Sequence, residues 1–301
     1  SANILKNAMG VGIPGTNMVG LPIAIALGAL IGKSAYGLEV IKDCTPNDVE
    51  QGRDLIDSNA ISIQLNNDTN EKLYVEVNCY DNKGNHAKVI IQKEHTNFVH
   101  LERNGQCLNI QASHSDESAT HHTEDTPVLT LRTVYDYATT SPLEEIEFIN
   151  EACKLNMAAA EKSLEGNYGH SLGKTLSRPL GKGIMGESIF SHILSSTSCA
   201  CDARMAGAMI PVMSNCGSGN QGVCATKPVV VFARENHNTP EEMTRALMLS
   251  HLTAIYIKQN LGTLSALCGC VVASTGSSCG ITYLMGGNFD QVCYAVKNMI
   301  A

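Results

Sequence analysis

The chain of 301 residues is long enough for one large domain or two ordinary ones, each with a buried core. Hydrophobic residues make up 44% and charged residues 17%, a balance typical of globular and not of disordered proteins. The formal net charge is -8 and there is no basic stretch, which argues against nucleic acid and anionic membranes as partners. The longest apolar run, residues 18–31, is shorter than the roughly 20 residues of a membrane span.

The 12 cysteines favour a reducing compartment. They are spread over a long chain and lie mostly in apolar or glycine-rich contexts, whereas disulfide frameworks are typical of short secreted chains. The sequence shows no secretory signal pattern. We therefore expect a cytoplasmic protein with free thiols.

The first part of the chain predicts helices around an antiparallel sheet. A Gly-, Ala- and Ile-rich stretch offers Thr16 and Asn17 as helix caps, and a polar helix starts at Pro46. From residue 61 onwards apolar and polar residues alternate, which is typical of half-buried strands. The predicted strands are residues 61–65, 73–77, 87–92, 98–102 and 107–110, with turns at 81–84 and 104–105.

The second part predicts mainly helices. Residues 113–126 have almost no apolar side chains, and we interpret them as a loop. An apolar stripe of helical period follows Pro142, another helix starts at Pro240, and residues 289–300 form the last one. We therefore predict an α+β protein in two domains. Their bounds are 1–127 for the part with the antiparallel meander and 128–301 for the mainly helical part.

Residues 213–222, Met-Ser-Asn-Cys-Gly-Ser-Gly-Asn-Gln-Gly, are the strongest indication of a binding site. Glycines let the backbone approach a ligand closely, and amides and hydroxyls offer donors and acceptors without charge. Cys216 adds a thiol. The pattern favours an enzyme with a pocket for a small polar substrate. The predicted substrate-binding residues are Asn215, Gly217, Ser218, Gly219, Asn220 and Gln221.

Two histidines are weak candidates for a general base, and for each a surface histidine is the alternative. His95 lies near a predicted strand, and His170 is flanked by glycines. His100 follows His95 at an offset of five, so the two would face opposite sides of a regular strand and could not share a metal.

Cysteines and charges in the helical part leave further alternatives open. Cys268, Cys270 and Cys279 match neither a zinc hairpin nor a ferredoxin spacing, so packed thiols compete with cluster or zinc ligands. Asp202 and Arg204 lie in a small, apolar segment and predict either a structural salt bridge or a carboxylate-binding arginine.

Several segments together resemble one family, and they run through nearly the whole chain in family-like order. Two examples are Ser-Asn-Cys-Gly-Ser-Gly-Asn-Gln-Gly at 214–222 and Leu-Ser-Ala-Leu-Cys at 264–268. The other segments are 6–16, 19–24, 37–40, 95–97, 196–198, 202–205 and 246–251. They are similar to the L-cysteine desulfidase, or UPF0597, family, which is related to the α domain of iron–sulfur L-serine dehydratases.

The resemblance implies a lyase with an oxygen-labile [4Fe-4S] cluster, one iron of which acts as a Lewis acid on the leaving group of a small amino acid. β-Elimination would convert L-cysteine to pyruvate, ammonia and sulfide, or L-serine with loss of water. Cys268 matches the first cluster-ligand motif of the family, and residues 215–221 would lie near the substrate.

The resemblance also implies segments that residues 1–301 do not contain. Family members carry a Gly-Cys-Thr-Glu-Pro motif before the position of Ser1, with a cysteine proposed as the base, and two further cluster cysteines after that of Ala301. We therefore expect an internal fragment with no intact cluster bound and no lyase activity of its own.

Two other functions stay open at this point. One is a cluster-free protein that binds or senses a small molecule on the same fold. The other is a structural zinc protein that uses Cys268, Cys270 and Cys279. A homodimer is compatible with either function.

Overall fold

The computed structural model of the chain describes residues 2–3, 10–94, 96–108, 127–262 and 269–301. Helices and antiparallel strands make up these ranges, which confirms the predicted α+β class. His95, residues 113–126 and Cys268, which carry predictions, lie outside the described residues. The domain boundary at residue 127 stays a prediction.

The strands form two antiparallel sheets. Their bounds are β1 Ala2–Asn3, β2 Gly12–Ile13, β3 Met18–Val19, β4 Leu73–Tyr80, β5 His86–Gln92, β6 Phe98–Arg103 and β7 Gln106–Cys107. The larger sheet has the order β1-β4-β5-β6-β7, and β2 pairs with β3. The turn between β6 and β7 has positive φ at Asn104 (52°) and Gly105 (79°), the geometry of a type I′ hairpin that Asn-Gly predicts.

Two predictions for the first part of the chain are wrong. Residues 61–65 form no strand, and the side chains of Ile63 and Leu65 stay exposed, with Leu65 69% accessible. Thr16 does not cap a helix. Its hydroxyl lies in the turn between β2 and β3, where it donates to the Ile13 carbonyl at 2.7 Å, and the following helix begins only at Leu21.

Twelve α-helices lie in the described ranges. Their bounds are α1 Leu21–Ile31, α2 Pro46–Asp57, α3 Leu131–Thr140, α4 Leu143–Ile146, α5 Asn150–Glu165, α6 Leu172–Leu176, α7 Pro179–Met185, α8 Ile189–Met205, α9 Gly219–Glu235, α10 Pro240–Leu261, α11 Ser274–Leu284 and α12 Phe289–Ile300. A π-helical turn over Gly269–Ala273 leads into α11. At the start of α10, the side chains of Thr239 and Glu242 form a reciprocal capping box, which explains why the helix begins where the sequence predicts.

The main core lies in the helical part, and α9 and α10 run through it. Val229 and Val230 of α9 and Leu247 and Leu249 of α10 are fully buried. Cys279 of α11 is also fully buried in this core, and burial raises the pKa of its thiol to about 12. Cys279 is therefore a packed thiol. In the described residues, no helix is both long and apolar enough to cross a membrane.

Candidate functional site

The predicted glycine-rich segment forms a tight turn followed by a helix. Asn215 and Ser218 exchange two backbone hydrogen bonds, of 3.1 and 3.0 Å. Between them, Cys216 (φ 47°) and Gly217 (φ 74°) both have positive φ, which is type I′ geometry. Left-handed backbone is costly for a residue with a side chain, so Cys216 is held there by its surroundings.

The turn leads directly into the N-terminus of α9. Ser218 is the N-cap, and its hydroxyl accepts from the N–H of Gln221 at 3.4 Å. The N–H groups of Gly219 and Asn220 in the first turn have no partner within the described part of the chain. Such groups and the helix dipole together favour a negatively charged ligand.

Two glycines of the segment are explained by close packing. A Cβ on Gly219 would lie 2.3 Å from Nε of Arg204, and a Cβ on Gly222 would lie 1.9 Å from the Met213 carbonyl oxygen. Gly219 is accordingly buried, whereas Gly217 is exposed with open space beside it. The glycines therefore let α9 start against α8 and its own approach loop, and of the two predicted binding glycines only Gly217 faces solvent.

Asn215 is the centre of a buried hydrogen-bond network beneath this turn. Its Nδ2 group donates to the His251 carbonyl oxygen at 3.1 Å and lies 3.2 Å from Nδ1 of the same histidine. Its Oδ1 accepts from Nε2 of Gln221 at 2.8 Å. The side chain thus ties the turn to the middle of α10 and to α9, and it is only 5% exposed.

The network continues from His251 to α9 and α5. Nε2 of His251 lies 3.0 Å from the Thr226 hydroxyl, which donates to the Gly222 carbonyl at 2.7 Å and accepts from Nδ2 of Asn156 at 3.0 Å. Because the Thr226 hydroxyl already donates its proton to the Gly222 carbonyl, Nε2 of His251 must donate to Thr226. Nδ1 of His251 is then the acceptor for the Asn215 amide. Oδ1 of Asn156 closes the network by accepting from the Met213 N–H at 3.0 Å.

The network requires a neutral histidine. Desolvation lowers the pKa of His251 to about 4, because the ring is buried away from water. A protonated ring would place a second N–H against the Asn215 amide, which has no lone pair to offer there. His251 therefore acts as a positioning residue for Asn215.

One acceptor of the site is left over. Oε1 of Gln221 has no hydrogen-bond partner in the described ranges. The residue is also fully inaccessible to solvent, so bulk water does not satisfy this oxygen. Buried polar atoms are normally paired, so an unpaired one beside a predicted binding turn indicates a ligand or a bound water.

The charge of Lys258 acts on the thiol of Cys216. Burial raises the pKa of the Cys216 thiol, and the Lys258 ammonium and the Gln221 amide oppose that shift only in part. The thiol therefore stays protonated at neutral pH, which argues against Cys216 as a base. Lys258 is only 4% exposed, so its charge acts in a poorly solvated environment.

Arg204 and Asp202 act separately and not as the salt bridge that the sequence favours. Nη1 of Arg204 donates to Oδ1 of Asn220 at 3.1 Å. Asp202 points the other way along α8, and its Oδ2 accepts from the Gly173 N–H in the first turn of α6 at 3.0 Å. Arg204 therefore positions Asn220, and Asp202 holds α6.

The residues described here do not supply a cluster site. Only one group of three potential ligands with converging atoms is found among them, and it lies on the large sheet. Sγ of Cys224 of α9 would lie 3.6 Å from a Cβ on Gly269 at the start of the π-helical turn. Its thiol interacts with that of Cys201 of α8, which raises the pKa of Cys201.

The other predicted site residues contribute little to this arrangement. His170 is exposed in the loop before α6. His95 and Cys268 lie outside the described residues. Asn156, Thr226 and Lys258 could not be predicted as site residues, because single polar residues inside helices carry no motif. His251 falls within the segment 246–251 that supports the family resemblance.

Comparisons with known proteins extend over the whole chain. The family model of the serine dehydratase alpha chain matches residues 35–301. A UPF0597 protein of Phocaeicola vulgatus is 64% identical over 303 residues, which cover 100% of this chain and 69% of that protein. A UPF0597 protein of Bacteroides fragilis is 63% identical with the same coverage, and one of Shewanella pealeana is 44% identical, again with 100% and 69% covered.

No solved structure matches the chain significantly. The family model nevertheless covers the helical site in full, and the relatives align with every part of the chain. The chain therefore belongs to the family of the serine dehydratase alpha chain and to the UPF0597 proteins.

Proposed function

We propose that the turn at 215–218 and the first turn of α9 bind a small amino acid, and that the protein is a lyase that eliminates the β-substituent of L-cysteine or L-serine. The observation that carries this proposal is the unpaired, fully buried Oε1 of Gln221 beside the open N–H groups of Gly219 and Asn220. An acceptor next to a set of donors suits a zwitterion, which has an ammonium group and a carboxylate. Family membership supplies the reaction class.

The charges around the site agree with a carboxylate ligand. The N-terminus of α9, the ammonium of Lys258 and the guanidinium of Arg204 bring positive potential to the same end of the helix. The carboxylate would bind at the N–H groups of Gly219 and Asn220, with the hydroxyl of Ser218 at its side. The ammonium group would donate to Oε1 of Gln221.

The buried network gives the site its rigidity. Asn215 cannot turn without losing its bonds to His251 and Gln221, so the acceptor of Gln221 is held in place before a ligand arrives. The half-buried thiol of Cys216 lies at the tip of the turn as a neutral group. These residues bind and orient, and none of them is assigned as the base.

A [4Fe-4S] cluster would supply Lewis-acid activation of the leaving group in an enzyme of this type. Cys268 is the proposed ligand by resemblance. Of the described cysteines, Cys279 is packed in the core, and the thiols of Cys201 and Cys224 interact with each other. No step is therefore derived through the cluster.

Calorimetry of this chain with L-cysteine and L-serine under anaerobic, reducing conditions tests the binding part. We expect Gln221→Met to weaken binding by at least ~10-fold, because the ammonium group then loses its acceptor. Gln51→Met, at an exposed position of α2, is the matched control and should bind as the wild type does. If neither amino acid binds, or if both variants bind equally well, the proposed site is wrong.

Pyruvate release after anaerobic iron–sulfide reconstitution tests the reaction. Turnover of L-cysteine or L-serine that Gln221→Met reduces would support the lyase. Binding that depends on Gln221 without turnover, in this chain and in an iron-loaded UPF0597 relative alike, would favour the cluster-free sensing protein.

A further inference from the structure

A second group of chemistry-bearing side chains lies on one face of the large sheet, outside the site described above. Strand β6 contributes His100 and Glu102, which are two residues apart and so share a face. Cys107 of β7 pairs directly with Glu102 in the ladder. On β5, Lys88 pairs with Glu102 and so shares its face. His86 is two residues before Lys88 and therefore lies on the same face. Three neighbouring strands thus bring these side chains together.

The potential ligand atoms converge. Nε2 of His100 lies 3.0 Å from one carboxylate oxygen of Glu102, and Nδ1 of His86 lies 3.8 Å from the other. The ligand atoms of His100, Glu102 and Cys107 all lie within 4.8 Å of one another. Ligand atoms around a tetrahedral zinc ion are about 3.3 to 3.8 Å apart, as bond lengths of about 2.0 to 2.3 Å require. The ligand atoms of His100, Glu102 and Cys107 are therefore at most about 1 to 1.5 Å farther apart than that spacing.

His86 is held in the tautomer that a metal ligand needs. Its Nε2 lies 3.2 Å from Oδ1 of Asn78, an atom that can only accept, so Nε2 carries the proton. The ring also stacks on Tyr80 at 4.6 Å between centroids. Nδ1, which faces Glu102, is left with its lone pair. A second ring nitrogen that donates to an oxygen is the usual support of a metal-bound histidine.

We infer that His100, Glu102 and Cys107 form a site for a zinc-type divalent cation, with Nδ1 of His86 at the fourth position. One thiolate, one carboxylate and two imidazoles are a ligand set of intermediate softness, which suits Zn²⁺ and excludes Mg²⁺ and Ca²⁺. The side chains of His86, Glu102 and His100 are 26%, 21% and 31% exposed, so an ion can enter from solvent.

The ammonium of Lys88, which lies on this face, is already engaged. The ammonium of Lys88 lies 2.8 Å from a carboxylate oxygen of Glu76, so Glu102 is not its main counter-ion. A bound metal would tie the short strand β7 to β6 and β5, next to the hairpin at Asn104 and Gly105. The ion would thereby stabilise the sheet edge and mask the thiol of Cys107.

Cobalt substitution tests the site in the reduced, metal-free chain. Co²⁺ should give a thiolate charge-transfer band that Zn²⁺ displaces, and Cys107→Ser should remove the part of the band that depends on this thiol. Cys79→Ser is the matched control. Cys79 is also exposed on this sheet, but it pairs with Ala87 and so points to the opposite face, and its replacement should leave the spectrum unchanged. His100→Gln should weaken zinc binding by at least ~10-fold in a competition assay with a chromophoric chelator.

Thiol labelling gives a second readout that does not depend on spectra of other cysteines. Stoichiometric Zn²⁺ should slow alkylation of Cys107, followed by peptide mass spectrometry, and leave the rate at Cys79 unchanged in the same sample. The inference would be overturned if Cys107 were alkylated at the same rate with and without zinc. It would also be overturned if Cys107→Ser, His100→Gln and the wild type had the same cobalt spectrum and the same zinc affinity.

Discussion

Two polar clusters of this protein differ in burial and in charge. The cluster beneath the start of α9, centred on Asn215 and His251, is buried and consists of neutral groups whose donors and acceptors match one another. The cluster on the sheet, around Glu76, Lys88 and Glu102, faces solvent and consists of charges. Burial makes an unpaired or ionised group costly, whereas water tolerates it. An unpaired polar group is therefore costly in the buried cluster and inexpensive on the sheet.

The largest effect should follow from breaking the buried cluster at its centre. Asn215→Ala leaves the acceptors of His251 and the donor of Gln221 unpaired, and we expect it to lower the free energy of unfolding by about 3 kcal/mol. Urea denaturation gives the value. The matched control is Asn260→Ala, since that amide is exposed and bonds only to the Tyr256 carbonyl of its own helix. Similar losses in both variants would contradict the contrast between the clusters.

The second-largest effect should be a loss of stability of the buried cluster at low pH. The pKa of His251 is about 4 in the folded chain and 6.5 in the unfolded one, so the unfolded state takes up the proton first as the pH falls. The stability that depends on the neutral ring is complete above about pH 6.5 and is lost towards pH 4, by roughly 3 kcal/mol in total. Unfolding of the wild type and of His251→Gln across this range measures the difference in slope. Parallel curves would show that His251 titrates normally.

Removal of a buried charge should have a smaller effect of opposite sign. Lys227 of α9 is fully buried, its Nζ contacts Sδ of Met157 at 2.7 Å, and desolvation lowers its pKa to about 8. At pH 7 the ammonium is still charged, so Lys227→Met should raise the free energy of unfolding by about 2 kcal/mol. The gain should shrink as the pH rises from about 8 to 10.5, where the folded wild type has lost the proton. Lys154→Met, at an exposed position, should change little.

The smallest effect is expected on the sheet. The Glu76 carboxylate accepts from Lys88 at 2.8 Å and from Tyr74 and Asn78, and these bonds lower its pKa to about 2. Because the pair is solvated, Glu76→Gln should cost less than about 1 kcal/mol at pH 7. The difference from the wild type should persist above pH 4.5 and vanish as the pH falls towards 2. A loss as large as that of Asn215→Ala would mean that this face is covered in solution.

Much of the fold follows from local sequence signals. The Asn-Gly turn before β7 and the capping residues of α2, α10 and α12 act within a few residues, so the helix starts and hairpins are predicted well. Residues 61–65 show the limit of this reasoning. Their alternation is that of a strand, but a strand also needs a partner, and the pattern does not report one.

The candidate site was predictable only in its local part. The turn at 215–218 and the family are visible in the sequence, because Gly217 favours positive φ and the segments lie in family order, whereas the left-handed backbone of Cys216 depends on its surroundings. That Asn156, Thr226 and His251 meet beneath this turn was decided by the packing of α5, α9 and α10, which brings together residues up to 95 positions apart. The same holds for Gly219 and Gly222. From the sequence, these glycines look like flexible positions that are open to a ligand. In the tertiary structure, Arg204 and Met213 occupy the space where their Cβ atoms would lie. The space available to a side chain depends on packed neighbours, which the local sequence does not report.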